Sequence, residues 1–439
     1  MKYNIKDMSE NKSEFKNSET KTERRSFLKT TLISGISFLC LPMCVATKGV
    51  KPIEVKYKIS LNNPTRFYDG KSCFVHSRAG IVSRDGEDLP PRVVMTMSTQ
   101  DLSGSDVYKS TYGMETDDLG QSWTSPSVVD RLAPRYEIVN REKHPVALGD
   151  FWPKWHKNSK TLLGTGHTVF YTPEWKVTRP RPRHPAYAIY NEEKRLWSKW
   201  KKLVMPDYKR FHDCGAGSTQ RYDEKEGTIL LPLAFHPDPL GQNGSVTIAR
   251  CSFINKKLEY MEHGDEISID DETRGLYEPS ITCYKEKYFL TIRHNFHGYV
   301  TSSGDGLHFD PIKIWKFDDG SELGNYNTQQ HWVTHSDGLF LIYTRKGANN
   351  DHVFRHRAPL FIGQVDPENL CIIRETEQIL VPERGARLGN FGVTEVSPKE
   401  TWITVSEWMQ PKGVEKYGSD GSLWVAKIKW NKPNKLFSV

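Results

Sequence analysis

Four arginines, Arg78, Arg293, Arg355 and Arg357, sit beside or inside short apolar runs. Arg78 stands in His76-Ser77-Arg78-Ala79-Gly80-Ile81-Val82, and Arg293 ends Tyr288-Phe289-Leu290-Thr291-Ile292-Arg293. An unpaired charge is costly to bury in such places. A guanidinium is always protonated and offers a planar fork of donors that matches a carboxylate, so several of them converging would grip an acidic ligand. Within Phe354-Arg355-His356-Arg357-Ala358-Pro359, strand alternation puts Arg355 and Arg357 on one face, and the choice between them stays open. Proton-transfer groups stand at related positions. Glu278 opens an apolar run 15 residues before Arg293. Asp101 lies 23 residues past Arg78 in the Gly/Ser-rich stretch Ser98-Thr99-Gln100-Asp101-Leu102-Ser103-Gly104-Ser105, with Asp106 as its rival. His212 precedes Asp213-Cys214-Gly215, and His156, His167, His331 and His356 lie near the ends of other runs. A histidine beside arginines can serve as a general acid or base, and several together can bind a metal.

The elements that must position these residues are short strands. From about residue 52 onward, β-branched and aromatic runs of four to seven residues alternate with Gly, Asp, Asn and Pro, and no long amphipathic helical stretch appears. The fold class is therefore all-β. A strand, a polar turn and a second apolar strand recur six times: 78–97, 151–165, 217–232, 278–293, 330–343 and 392–405. Units of this length, each closing with further strands such as Gly298–Ser302 or Leu423–Lys427, fit a six-bladed β-propeller of four-stranded antiparallel blades, in which stacking buries both faces of every blade.

Composition sets the outer limits. The chain has 439 residues, 37% hydrophobic and 26% charged, too apolar for a disordered chain. The mean hydropathy of −0.62 excludes a polytopic membrane protein. The net charge is +7, but the first 48 residues hold 9 of the 61 Lys/Arg and 5 of the 54 Asp/Glu, which leaves the body at +3. So neutral a body lacks the dense basic face of a nucleic-acid binder. Residues 1–48 read as an export signal: a polar, charged start, Arg24-Arg25-Ser26-Phe27-Leu28-Lys29, then an apolar stretch from Leu32 to Val45. That stretch is shorter than the ~20 residues of a spanning helix and contains Pro42, so no stable membrane span is expected. Cys44 loosely fits a lipid-anchoring site, but Met43 before it does not suit the small residue such a site requires. Residues 52–439 form the domain expected to fold, as a monomer. Its five cysteines, Cys73, Cys214, Cys251, Cys283 and Cys371, lack metal-site spacing and read mostly as core thiols, and no metal or cofactor is expected.

Two turns carry a family resemblance. Thr116-Asp117-Asp118-Leu119-Gly120-Gln121-Ser122-Trp123 matches the Asp-box pattern Ser/Thr-x-Asp-x-Gly-x-x-Trp, and Ser303-Gly304-Asp305-Gly306-Leu307-His308-Phe309 is a shortened version. In each, the Asp carboxylate can collect turn N–H groups, Gly takes the positive φ, and the aromatic packs between blades. With the arginines and the six-fold repeat, residues 65–430 resemble the sialidase (neuraminidase) superfamily. The resemblance implies that Arg78, Arg293 and Arg357 or Arg355 hold the carboxylate of an acidic sugar. It further implies that Asp101 or Asp106 is the acid/base, and that Glu278 acts as base toward a tyrosine. The sequence departs from the family at that tyrosine, for the last inner strand reads Leu388-Gly389-Asn390-Phe391-Gly392. Tyr277, Tyr326 or Tyr343 would have to substitute, and Trp152, Trp155 and Trp332 could offer stacking faces.

The expected function is exported, exo-acting hydrolysis that removes a terminal acidic sugar from a glycan. A lyase or uronic-acid-specific glycosidase on the same scaffold, with His212 or a tyrosine abstracting a proton, is the second reading, and a non-catalytic glycan-binding propeller the third.

Overall fold

The computed structural model describes residues 55–437, except 85–88, 103–105, 140, 180 and 239–242. The readings of residues 1–48, Cys44 included, lie outside the described residues. Six antiparallel sheets follow one another along the chain. Their inner strand pairs are Ser72–Val82 with Arg92–Asp101, Glu142–His156 with Thr161–Phe170, the split pair Asp213–Gly215 and Tyr222–Asp223 with Ile229–His236, Tyr277–Tyr284 with Lys287–Arg293, His331–His335 with Gly338–Tyr343, and Phe391–Ser397 with Glu400–Ser406. Each falls on one of the six repeats read from the sequence. The fold is a six-bladed β-propeller whose blades are built on four antiparallel strands, with extra short strands in blades two, three and five.

A blade has two faces and water can solvate neither once it is stacked, so inner strands are buried almost throughout: Arg92–Asp101 and Thr161–Phe170 show no polar-out alternation. Six separate apolar clusters fill the six gaps. Val82 and Val94 meet Val146 and Leu148 between blades one and two, and Leu163 meets Leu231 between two and three. Leu230 meets Ile281 between three and four, Phe289 meets Trp332 between four and five, and Val333 meets Val393 between five and six. Met95 then meets Trp402, which joins blade six to blade one and closes the ring. The closure is also made by backbone: Tyr57–Arg66 completes the sixth sheet by pairing antiparallel with Ser422–Trp430, Leu61 opposite Ala426.

The two turns read from the sequence occupy equivalent places, each leaving the third strand of its blade, Tyr108–Thr116 and Gly298–Ser303. Asp118 Oδ1 accepts from the N–H groups of Gln121 and Ser122, and Asp305 Oδ1 from those of Leu307 and His308. The Ser122 hydroxyl together with these N–H groups holds the Asp118 carboxyl below the usual range, and at Asp305 the His308 side chain together with these N–H groups does so against burial. Trp123 packs against Trp402 of the sixth blade. None of the five described cysteines is bonded to another, and all but Cys283 are buried. Among the described residues, no helix is long and apolar enough to cross a membrane.

Candidate active site

The inner strands do not run straight into the channel mouth. The ladder slips between Val75 and Arg78, between Gly149 and Trp152, and between Tyr277 and Ser280, an equivalent place in blades one, two and four. Each slip holds a non-glycine residue in the left-handed region: His76 (φ 53°), Asp150 (φ 53°) and Glu278 (φ 49°). Blade three reaches the same result by breaking its inner strand around Ser218 (φ 56°). A left-handed residue costs about 1–2 kcal/mol outside glycine, and a bulge re-aims its side chain. All four re-aimed side chains line one cavity of about 200 Å3 at the mouth. That is below the roughly 300–1,000 Å3 of drug-sized pockets, space for one small polar group.

Among the described residues six arginines line this cavity: Arg181, Arg183, Arg274, Arg293, Arg355 and Arg357. Three are matched by carboxylates. Arg293 Nη1 donates to Glu278 Oε1 at 2.5 Å, Arg181 Nη1 lies 3.3 Å from Asp106 Oδ2, and Arg183 Nε lies 2.7 Å from Asp213 Oδ1. Burial works against the Arg293 cation, but Glu278 outweighs it and holds the group above its ordinary value. Arg274, Arg355 and Arg357 have no carboxylate against them among the described residues. The Arg357 side chain is buried, its Nη2 donates to the Asn327 carbonyl, and its Nε has no acceptor. Burial, then Arg293, Arg387 and Arg355, push it well below the ordinary arginine value; Arg355 is pushed down by burial and by Arg293 and Arg274. A guanidinium does not give up its proton, so this repulsion is retained in the fold until an anion relieves it.

On the blade-one and blade-two side lies a different group. His76 Nε2 is 2.8 Å from Asp150 Oδ1, and His167 Nε2 is 3.6 Å from Asp150 Oδ2. Burial alone would raise the Asp150 carboxyl, but His76, His167 and Arg78 overcome it and hold it well below its ordinary range. His167 is itself driven down to about 3 by burial. Gly217 makes room for this group, because a Cβ there would sit 2.0 Å from His167 Nδ1. Tyr108 lines the cavity beside His76, their rings 5.7 Å apart.

Several expected placements differ. Arg78 does not line the cavity. It is fully buried one layer behind, where Nε donates to the Phe391 carbonyl (3.3 Å), Nη1 to the Asp150 carbonyl (2.7 Å), and Nη2 to Ser218 Oγ (2.8 Å) and Gln329 Oε1 (3.0 Å). It thereby ties together blade ends rather than facing a ligand, and Gly392 lets it pass, since a Cβ there would lie 2.8 Å from its Cγ. Asp101 also stays outside. It is the last residue of its strand, Gln100 points into the cavity instead, and Asp101 is half-exposed 3.8 Å from Lys109. The rival Asp106 lines the cavity. His212 faces a second cavity, while its neighbour Asp213 holds Arg183 and His236. Arg355 and Arg357 are not on a strand; they lie in and just after the turn Phe354–His356, and both reach the cavity.

Of the other histidines singled out in the sequence, His167 lines the mouth cavity and His156, His331 and His356 do not. His156 binds Ser159 and the Gly227 carbonyl at the far end of its strand, His331 is wedged between Trp152 and Phe391, and His356 bonds Tyr326. Among the tyrosines Tyr277 lines the cavity, whereas Tyr343 is buried against Glu377. Trp152 and Trp332 are buried and Trp155 packs against the inter-blade cores, so none offers a face to a ligand; Trp408 lines the cavity but is itself buried, with the Arg387 guanidinium 3.4 Å from its ring centroid. The lining residues not singled out in the sequence include His76, Tyr108, Asp150, Arg181, Arg183, His236, Arg274 and Asn390. One available signal was the alternation Arg179-Pro180-Arg181-Pro182-Arg183, in which repeated proline denies the run a place inside a sheet. Among the described residues no three His, Cys, Asp or Glu side chains meet as a metal site.

No family model matches this sequence, and no curated protein matches it. Solved structures do. A Dyadobacter fermentans protein of unknown function aligns at TM-score 0.55 and 11% identity over 85% of this chain and 99% of its own. The NanB sialidase of Streptococcus pneumoniae aligns at TM-score 0.55 and 11% identity, over 83% of this chain and 70% of its own. Trypanosoma rangeli sialidase in complex with the inhibitor DANA aligns at TM-score 0.52 and 12% identity, over 81% of this chain but only 55% of its own. At such identities the likeness is one of fold, and the chain is a sialidase-like six-bladed β-propeller.

Proposed function

We propose that this protein is an exo-acting glycoside hydrolase that removes a terminal carboxylate-bearing sugar from a glycan. The observation that supports this reading above the others is the set of uncompensated guanidiniums, Arg274, Arg355 and Arg357, beside Arg293 in a cavity sized for one small group. Arg357 and Arg293 clamp the carboxylate and Arg355 closes over it from the exposed side. Asp106, rather than Asp101, delivers the proton to the leaving oxygen. Glu278 is held by Arg293 as a stabilising carboxylate. Tyr277 is the tyrosine best placed to replace the one missing at Phe391: its phenol oxygen accepts from Arg274 Nη2 at 2.5 Å, and the Arg293 cation lies 4.7 Å from its ring centroid. The reading includes export through the twin-arginine segment in residues 1–48, without a stable lipid anchor at Cys44, and action as a monomer. N-terminal sequencing of the secreted protein tests that part.

Purified protein should release sugar from sialosides or from uronides, and Arg357→Ala should abolish the release. Absence of turnover on both classes, together with unchanged affinity for the free sugar acids in Arg357→Ala, sinks the proposal. A lyase is the second reading, favoured by Tyr108 lying against the His76–Asp150 pair while Phe391 offers no nucleophile. The ultraviolet absorbance of a 4,5-unsaturated uronate in the product would establish elimination in place of hydrolysis.

A further inference from the structure

A second cavity, of about 540 Å3, opens beside the first and plays no part in the chemistry above. Its walls include the loop that follows strand Thr161–Phe170 and the turn that leads into Asp213–Gly215. Strand Thr161–Phe170 pairs with Glu142–His156, with Phe170 opposite Val146, four residues before the mouth residue Asp150, and Asp213–Gly215 begins an inner strand, so both segments lie at the mouth end. The two cavities share a wall one residue thick. Along residues 181–184, Arg181 and Arg183 face the first cavity, and Pro182 and His184 face the second; likewise Asp213 holds Arg183 while His212 faces the second.

The lining is of another chemical kind. Val139, Phe170, Leu203, Val204, Met205 and Tyr208 dominate it, and Val204 and Tyr208 are 82% and 63% exposed. Its one Lys or Arg among the described residues, Lys202, is neutralised by Glu137 at 2.6 Å. The His184 ring stacks on Tyr208 with centroids 6.1 Å apart, and burial followed by Lys202 pushes His184 down to about 4, so it is uncharged at neutral pH. A sugar buried here would leave most of its hydroxyls without partners, at about 1–3 kcal/mol each. A planar apolar group would not.

We infer that this second cavity binds the apolar, aromatic-type aglycone of a glycoside whose acidic sugar occupies the arginine-lined mouth. The inference rests on the acidic-sugar reading for the identity of the attached sugar, but the second site can be tested by itself. Calorimetric titration with 2-naphthol, with N-acetylneuraminic and galacturonic acids, and with 2-naphthyl glucuronide separates the two. Tyr208→Ala and Val204→Glu, both at exposed positions that should not disturb folding, are expected to weaken 2-naphthol at least ten-fold, whereas Arg357→Ala leaves it unchanged. The free acids should show the reverse, and the joined glucuronide should lose affinity in all three variants. The inference is overturned if 2-naphthol does not bind, or binds all variants alike. It is also overturned if lactose takes over the Tyr208 dependence, or if Val204→Glu instead abolishes a concentration-dependent dimer. Acids insensitive to Arg357→Ala beside a Tyr208-dependent naphthol would overturn the mouth assignment and the coupling of the two sites, and would leave only an apolar site.

Discussion

Arg78 and Arg357 are both buried arginines near the axis of the ring, yet they stand in opposite electrostatic conditions. Arg78 spends its donors on two backbone carbonyls, a serine and a glutamine, and no other arginine is among the charges that shift it. Arg357 has one backbone acceptor, an orphan Nε and three arginines pressing on it. Burial of a charge is thus not by itself a sign of a ligand site. What distinguishes the mouth from the layer behind it is whether the donors are already satisfied: a saturated guanidinium holds the fold, and an unsaturated one in a cavity has capacity left for an anion.

This contrast can be broken most sharply at Arg78. Arg78→Ala strands several buried acceptors, each worth about 1–3 kcal/mol, and should lower unfolding free energy by about 3–5 kcal/mol. Urea unfolding measures it, and a loss below about 1 kcal/mol would remove the distinction. Asp106→Asn should slow turnover by about 100-fold or more, the usual scale of general acid catalysis, while Asp101→Asn leaves it unchanged. Equal losses in initial-rate assays would return Asp101 to the site. Arg357→Ala should weaken binding of a sugar acid by roughly 100-fold with no loss of stability, because it relieves repulsion; the exposed Arg355→Ala should cost about five-fold, in line with rim charges. Calorimetry with a thermal melt on the same samples reads both.

The same contrast extends to pH. His167 is held at about 3 in the fold, below its unfolded value of 6.5, so the unfolded chain takes up a proton first as pH falls. Its contribution is complete above pH 6.5 and is lost progressively toward pH 3, with a slope of up to about 1.4 kcal/mol per pH unit. His167→Gln should flatten stability against pH in that window, and an unchanged profile would mean that the imidazole is solvated.

The ring itself was legible in the sequence because strand pairs repeat and stacking requires both faces of each blade to be apolar. Arg293 and Glu278 could be placed because a single hairpin links them. Asp101 and His212 could not, because a one-residue slip or a broken strand reverses which neighbour faces the axis, and Gln100 and Asp213 took the inward places. Arg78 failed for a related reason: the bulge at His76 turned His76 toward the cavity and left Arg78 behind it.

Composition, repeat period and turn residues therefore determined an all-β ring with cationic and acidic side chains at the strand ends, since those depend on local backbone preference and on apolar pattern. Which of those charges met one another, which were already satisfied and which faced an open mouth were decided only in the tertiary structure. Each of those outcomes depends on left-handed bulges and on partners dozens to hundreds of residues away, such as Phe391 for Arg78, and no local stretch of sequence encodes them.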